Sequence, residues 1–275
     1  MSDETILVTG STGKTGRRVA RLLRARRVAV RAASRSGEVR FDWADRSTWE
    51  PALRGATALY LVAPELGDPR AARDVAAFAR TAGAGRAVLV SMPDTGDPGH
   101  EHVLAAERSL GEAGLAWTVL RPRWFFQNFS EDFLRDPVLS GEVRLPAGDG
   151  REAFVDADNI AEVAVAALTG DGHAGRSYEL SGPRLLSFGD AVAEIAKATG
   201  RDLRYVPLTA ERYAEEQRAR GVPEQWIQLS IDLYASVRAG GLTPLTDDVR
   251  QVLGRAPRDF TDYAQAGARQ GAWSE

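Results

Sequence analysis

Three glycines set three apart, Gly10, Gly13 and Gly16, follow the apolar run "TILV" and precede a stretch in which Val19, Leu22 and Leu23 recur at helical spacing with arginines between them. No other feature restricts the fold of this chain as much. Side chains are removed in this way where backbone must approach something closely. The β-branched run before the loop reads as a buried parallel strand, and the run after it as a helix. A strand, a glycine turn and a helix start aim free backbone N–H groups and a positive dipole end at one point, which makes an anion site. An isolated string of this kind marks only a tight turn. Between a strand and a helix it reads as the pyrophosphate loop of a dinucleotide site. Gly10, Thr12, Gly13, Lys14, Thr15 and Gly16 are its expected contacts. A branched residue at position 13 is expected to fill the pyrophosphate's space and to demand unfavourable backbone angles.

The rest of the chain repeats the strand–helix alternation. Apolar strands are expected at 6–9, 28–34, 38–41, 58–64, 86–91 and 116–122, with helices near 14–26, 46–54, 69–82 and 100–113. This pattern calls for an α/β fold, a Rossmann-like doubly wound parallel sheet with helices on both faces. Ligands of such sheets lie beyond the carboxyl ends of the strands, so the residues closing each strand are the ones to read. After Pro122 the rhythm breaks into the aromatic-rich "RWFFQNFSEDF", a loop and short strand feeding a helix over 159–169, and further helices from 187 on, with "YELSG" and "LRYVPL" as short strands. The expected division is a core of residues 1–122 and 148–180, and a smaller, mostly helical substrate lobe of 123–147 and 181–275 lying over the cofactor.

The second strand ends in "AASRSGE", where an NAD site usually carries a carboxylate for the ribose 2′-hydroxyl. Ser34, Arg35 and Ser36 stand there instead. An arginine fork between two hydroxyls matches a 2′-phosphate, and Lys14 offers a second cation; Glu38 folding back as an acid is the alternative. NADPH is therefore the expected cofactor, with NADH second. Asp42, closing the third strand, is suited to accept from the adenine amino group with Trp43 nearby. The plainer reading is a helix cap by Asp45 or Ser47 behind a packed tryptophan. Val62, Ala63 and Pro64 end the fourth strand along the nicotinamide ribose, Ser91 ends the fifth, and Pro122 shapes backbone near the carboxamide.

Composition narrows the chemistry. The chain has 275 residues, no cysteine, three histidines and a formal net charge of −3. Disulfides, thiolate nucleophiles and Cys-ligated metals are excluded, no metal is expected, and no basic field recruits nucleic acid. Neither a signal peptide nor a run long enough to span a membrane is seen. The expected setting is cytoplasmic, the partner a small-molecule substrate, with a homodimer left open.

The segments "VTGSTGKTG", "FDW", "LYLVAP", "GLAWTVLRPRWFFQNF", "GDGREAFVDADNIAEVA" and the tail "GRAPRDFTDYAQAGARQGAW" resemble the NmrA-like branch of the atypical short-chain dehydrogenases/reductases over nearly the whole chain. Within that branch the likeness is closest to the group containing the ergot-alkaloid iminium reductases. The resemblance implies the fold read above and activities ranging from reduction of quinones, carbonyls or iminium ions to sensing of the NADP(H) pool. The superfamily's Tyr-x-x-x-Lys proton-donating pair is missing. The only lysines are Lys14 and Lys197, no tyrosine lies between Tyr60 and Tyr178, and Val103 stands where the lysine is expected.

A substrate that is already cationic needs no proton at the reacting carbon, so an NADPH-dependent reductase of a small planar iminium or conjugated substrate is the expected function. A non-catalytic NADP(H)-binding regulator and a quinone or carbonyl reductase are the alternatives. His100, His102 and Ser91 are the candidate catalytic groups, a solvent-facing helix start being the plain alternative for each histidine. Met92, Trp124, Phe125, Asn128 and Asp156 are the candidate substrate contacts. For Trp124, Phe125, Phe126 and Phe129 the plain alternative is core packing, with one or two of the four expected there; Arg121 is weighed as an ion-pair partner, and Asp158 as the cap of the helix that follows it.

Overall fold

The computed structural model describes residues 4–63, 66–93, 100–241 and 243–274. In chain order the elements are β1 (Thr5–Thr9), α1 (Lys14–Ala25), β2 (Ala29–Ser34), β3 (Val39–Arg40), α2 (Trp49–Leu53), β4 (Ala58–Val62), α3 (Pro69–Thr81), β5 (Arg86–Val90), α4 (Glu101–Glu112) and β6 (Ala116–Pro122). There follow α5 (Asn128–Glu131), α6 (Arg135–Ser140), β7 (Glu142–Leu145), β8 (Arg151–Glu152), α7 (Ala157–Thr169), β9 (Arg176–Leu180) and β10 (Leu186–Ser187). The chain closes with α8 (Phe188–Thr199), β11 (Arg204–Pro207), α9 (Ala210–Ala219), α10 (Glu224–Ala239), α11 (Asp248–Leu253) and α12 (Phe260–Arg269). None of the described helices is long and apolar enough to cross a membrane.

Two compact units result. The first takes the described parts of Met1–Pro122, Ala157–Leu180 and Asp247–Ala256. It holds a seven-stranded sheet in the order β3-β2-β1-β4-β5-β6-β9, every pair parallel. The order turns back at β1 and β4, so a switch point opens beside the glycine loop. Leu7, Leu59, Leu61, Ala87 and Leu89 bury one face of the sheet in a cluster with Phe41, Trp49, Val75, Phe78 and Leu110. The intervening Ile6, Val8 and Val88 are equally buried, and α1 packs with α7, which also meets β4, β5 and β6. Strands buried on both faces explain why the sheet segments read as continuous apolar runs.

The second unit takes Arg123–Asp156, Ser181–Thr246 and Pro257–Glu275. Two short sheets, β7 parallel to β11 and β8 antiparallel to β10, accompany its helices. Its core is aromatic: Phe126, Phe129, Phe154, Phe188 and Phe260 are each buried, and they meet at ring-centroid distances between 4.9 and 6.4 Å. Ser187 and Asp190 form a reciprocal capping box that starts α8.

The unit boundaries differ from the expected ones in two places. Residues 148–156 belong to the second unit, because Glu152 of β8 pairs with Leu186 and Val155 bridges to Phe125. Residues 247–256 belong to the first, because α11 packs on α7 and β9 and Asp248 Oδ2 accepts from Glu179 N at 2.7 Å. The helix expected from 159 starts at Ala157, so Asp158 lies inside its first turn and does not cap it. Asp158 Oδ1 instead takes Arg18 and Arg21, each at 3.1 Å. In its place near the helix's positive end, that carboxylate also opposes the dipole favourably.

Candidate functional site

The glycine loop is built by three different constraints. Gly10 stands at φ +60°, in the left-handed region that side chains disfavour. Gly13 N donates to Gly10 O at 2.9 Å, closing the turn. A Cβ on Gly16 would come within 2.2 Å of Gly10 O, so helix and turn touch backbone to backbone. Gly13 departs from expectation: at φ −80° and ψ 177° it asks for no glycine-only conformation, and its Cβ would meet only Gly10 O at 3.2 Å. The reason for glycine at 13 is therefore space outside the loop. Gly13 caps α1 without a side chain, and no acid occupies the first turn, so the dipole's positive end is left for an anion. Thr15 is buried behind the loop, and Thr9 Oγ1 ties the ends of β1 and β4, donating to Tyr60 O at 3.1 Å and accepting from Val62 N at 2.9 Å.

A cleft of about 410 Å³ joins this loop to the ends of β2 and β4. Gly10, Thr12, Gly13, Ser34, Arg35, Asp42, Trp43 and Val62 all line it, with Ser36 and Phe41. Residues drawn from four separate places in the sequence thus meet around one space. Ser34 is 7% exposed, and its hydroxyl has no hydrogen-bond partner among the described residues. A buried polar atom left without a partner at the edge of a cleft is costly unless a ligand completes it. Arg35 makes no ion pair with a described residue, whereas Glu38 is drawn to Arg24 at 2.5 Å. Glu38, the acid weighed against a 2′-phosphate, is therefore directed to α1. These residues fit a phosphate-bearing ribose.

Trp43 forms a fixed wall. Its Nε1 donates to Val62 O at 2.9 Å, and its ring packs edge-on against Phe41, Phe78 and Trp49 at 5.1, 5.2 and 5.9 Å. Asp42 Oδ1 accepts from Ala44 N at 3.0 Å, while Asp45 caps the short helical turn Arg46–Thr48 by accepting from Ser47 N. Asp45 thus takes the capping role and Asp42 lines the cleft. Ala63 lines an adjoining cleft of about 270 Å³ with Asp42, Trp43, Asp68 and Arg70. Pro64 lies outside the described residues. Lys14 and Gly16 sit in the first turn of α1, and Pro122 is buried at the end of β6, in register with Leu180.

At the other end of the strand edge, Ser91 Oγ donates to Glu107 Oε1 at 2.5 Å. Arg121 grips the same carboxylate through Nε at 3.0 Å and Nη2 at 2.5 Å, and reaches Glu179 Oε1 at 3.2 Å. Both acids hold the Arg121 guanidinium further inside its charged range, the hydrogen bond it donates to Glu107 contributing most. Sequence reasoning missed Glu107, although it stands on the buried stripe of α4 with Val103, Ala106 and Leu110. A charge at helical spacing among apolar residues was the readable signal. His100, for which a solvent-facing helix start was the plain alternative to a catalytic role, is buried at 6% exposure. His102 is about one-third exposed, its Nε2 3.9 Å from Glu101. Met92, next to Ser91, is exposed.

In the second unit Trp124 packs on Phe188, Tyr234 and Phe133 at 5.4, 5.6 and 6.3 Å. Phe125 is half-buried at its bridge to Val155. Asn128 begins α5 and accepts from Leu134 N at 3.1 Å through its carbonyl. Asp156 is fully buried, with Gln127 Nε2 on one oxygen and Arg258 Nη1 on the other, both at 2.9 Å.

Comparison with known proteins places these features in a lineage. The family model described as NAD(P)H-binding matches residues 10–171. The chain is 32% identical to an NAD(P)H azoreductase of Xenophilus azovorans over 96% of this chain and 98% of that one. It is 31% identical to the agroclavine dehydrogenase of Claviceps fusiformis over 94% and 96%. Its fold is similar to that of the Citrobacter sp. triphenylmethane reductase complexed with NADP(H), with a TM-score of 0.77 at 21% identity, covering 96% and 99%.

Proposed function

The chain belongs to a family of NAD(P)H-binding oxidoreductases, and from that premise we propose that it is an NADPH-dependent reductase of a small planar substrate whose reacting carbon is part of an iminium or a conjugated cation. The observation that carries the reading is the end of β5. The Tyr-x-x-x-Lys pair is missing from the sequence, and the one hydroxyl that closes this strand, on Ser91, sends its proton inward to Glu107. When bound, the cofactor supplies a hydride. A cationic carbon that accepts it ends neutral and needs no acid. What the protein contributes is then binding, orientation and removal of water.

On this reading the glycine loop and the start of α1 hold the pyrophosphate, Ser34 and Arg35 the 2′-phosphate, and Asp42 and Trp43 the adenine side. Arg35→Ala should weaken NADPH by about 1.5–3 kcal/mol, roughly ten- to hundredfold, because one charge-assisted contact is lost. NADH has no 2′-phosphate and should be nearly unaffected. Titration of each cofactor by fluorescence checks this, and equal losses for both would refute the assignment.

The reaction class is tested through the histidines. His100→Ala and His102→Ala, singly or together, should slow single-turnover hydride transfer from deuterated NADPH to 3,4-dihydroisoquinolinium by less than tenfold, under about 1.4 kcal/mol of barrier. A general acid usually supplies roughly 10²–10⁴-fold. Trp124 and Phe125 would offer aromatic faces to the cation, and Trp124→Ala is expected to slow the step more than either histidine variant. A thousandfold loss in the double-histidine variant, with Trp124→Ala nearly neutral, would turn the assignment to an acid-assisted carbonyl or quinone reductase.

A further inference from the structure

Ser91 follows β5 directly, one residue past Val90, at the carboxyl edge where open α/β sheets bind their ligands. Its backbone N–H is tied to Leu120 O at 2.7 Å, which sets the side chain in place. The hydroxyl donates to Glu107 Oε1 at 2.5 Å. Arg121 occupies both oxygens of that carboxylate and is itself anchored on Glu179. A carboxylate facing a guanidinium with both oxygens is an acceptor only. Serine has a single proton, and here it is committed to Glu107. What Ser91 keeps for a ligand is lone pairs, and among the described residues none donates to them. Ser91 and Glu107 are 6% and 7% exposed, so bulk water does not scramble this polarity.

We infer that Ser91 meets the substrate as a hydrogen-bond acceptor, and that it selects nitrogen cations bearing an N–H over their N-alkylated analogues and over carbonyl or quinone oxygens. The inference rests on the reading of this site as a reductase of cationic substrates and names the group on the substrate that is recognised. A carbonyl oxygen would set one acceptor against another. An N-methyl iminium would leave Ser91 facing a methyl group. An N–H satisfies the serine oxygen, and a site built around a polar partner rejects analogues lacking it far more strongly than a merely apolar pocket does. Glu107 and Arg121 are positioning residues, acting through the direction of the Ser91 proton.

The test compares binding and turnover. Calorimetry with NADP+ present measures protonated 1,2,3,4-tetrahydroisoquinoline against its N,N-dimethyl quaternary ion. Steady-state kinetics measure 3,4-dihydroisoquinolinium, its N-methyl ion and 1,4-naphthoquinone. The native protein should prefer the N–H ligand by about tenfold or more in Kd, the scale of one hydrogen bond to a charged group. Ser91→Ala should bring that ratio near one, and Ser91→Thr should keep it. Glu107→Ala removes the acceptor of the Ser91 proton, frees that proton to turn towards the ligand, and should lower the iminium-to-quinone ratio of kcat/KM by about tenfold. Adding Ser91→Ala to that variant should cancel the change.

A structural role for Ser91 would lower every ligand alike and leave the ratios unmoved, which would overturn the inference. If Glu107→Ala fails to fold, the Ser91→Ala and Ser91→Thr variants decide by the binding ratio alone. Absence of turnover on all three substrates, with a Ser91-dependent N–H preference in Kd, would sink the reductase reading and keep the inference. Brisk iminium turnover with a ratio indifferent to Ser91 would do the reverse.

Discussion

Gly13→Val is expected to abolish NADPH binding and to leave the fold standing. The new side chain meets one protein atom, Gly10 O at 3.2 Å, and the φ of −80° is open to any residue. Its methyl groups project instead into the cleft that the loop shares with Ser34 and Arg35. A dinucleotide pyrophosphate needs that space at backbone distance from the loop. Affinity should fall by at least about a hundredfold, close to 3 kcal/mol, while circular dichroism and the urea midpoint stay near native. Gly16→Val supplies the contrast. There the Cβ would lie 2.2 Å from Gly10 O, so loop and helix must part and the fold itself should suffer. Retained NADPH binding by the position-13 variant would remove this loop from the cofactor site.

The second large effect is on stability. Glu152 is 1% exposed; its Oε1 accepts from Ala153 N at 3.0 Å, and its Oε2 has no hydrogen-bond partner among the described residues. Burial pushes this carboxyl from its ordinary 4.5 up to about 7, against the downward pull of the Ala153 N–H and the Arg123 charge. Below about pH 4.5 both the folded and the unfolded chain hold the proton, and the fold has its full stability from this group. As pH rises, the unfolded chain releases the proton first, so stability falls until the folded carboxyl ionises near pH 7 and the loss becomes constant. The total is about 3 kcal/mol. Glu152→Gln, which mimics the protonated acid at every pH, should be more stable than the native chain by about 3 kcal/mol at pH 8, narrowing to about 1 at pH 5. Urea unfolding at the two pH values checks this; a gap that does not change with pH would mean that Glu152 is not held protonated.

The parts of the fold legible in the sequence were those written in local spacing. The run from "TILV" through Gly16 announced strand, turn and helix within about a dozen residues, and the end of β2 at Ser34 followed from the alternation, while β4 and β5 stop at Val62 and Val90, short of the expected 64 and 91. Long-range pairings of little length were not legible. β8 and β10 are two residues each, and their pairing, with the Phe125–Val155 bridge, moves 148–156 out of the unit of the seven-stranded sheet. Asp158 was misread because a cap and a first-turn acid look alike in sequence, and the Arg18 and Arg21 that claim it stand 140 and 137 residues away. Arg121 could be read as an ion-pair partner, but its acids lie 14 and 58 residues off, on a different helix and a different strand. The direction of the Ser91 proton depends on both, and no spacing rule expresses it.

The order of the strands also bears on how the chain comes off the ribosome. Every residue lining the 410 Å³ cleft falls between positions 10 and 62, on elements that pair among themselves. The strand that covers the outer side of β6 is Arg176–Leu180, and α11, which packs beside it, ends only at Leu253. A growing chain of some 130 residues therefore carries every residue that lines this cleft on a sheet whose β6 margin is bare. Unsatisfied N–H and C=O groups along such a margin invite pairing with other chains. That exposure lasts until Arg176–Leu180 has been made, some 50 residues later, and only then is the β6 margin paired.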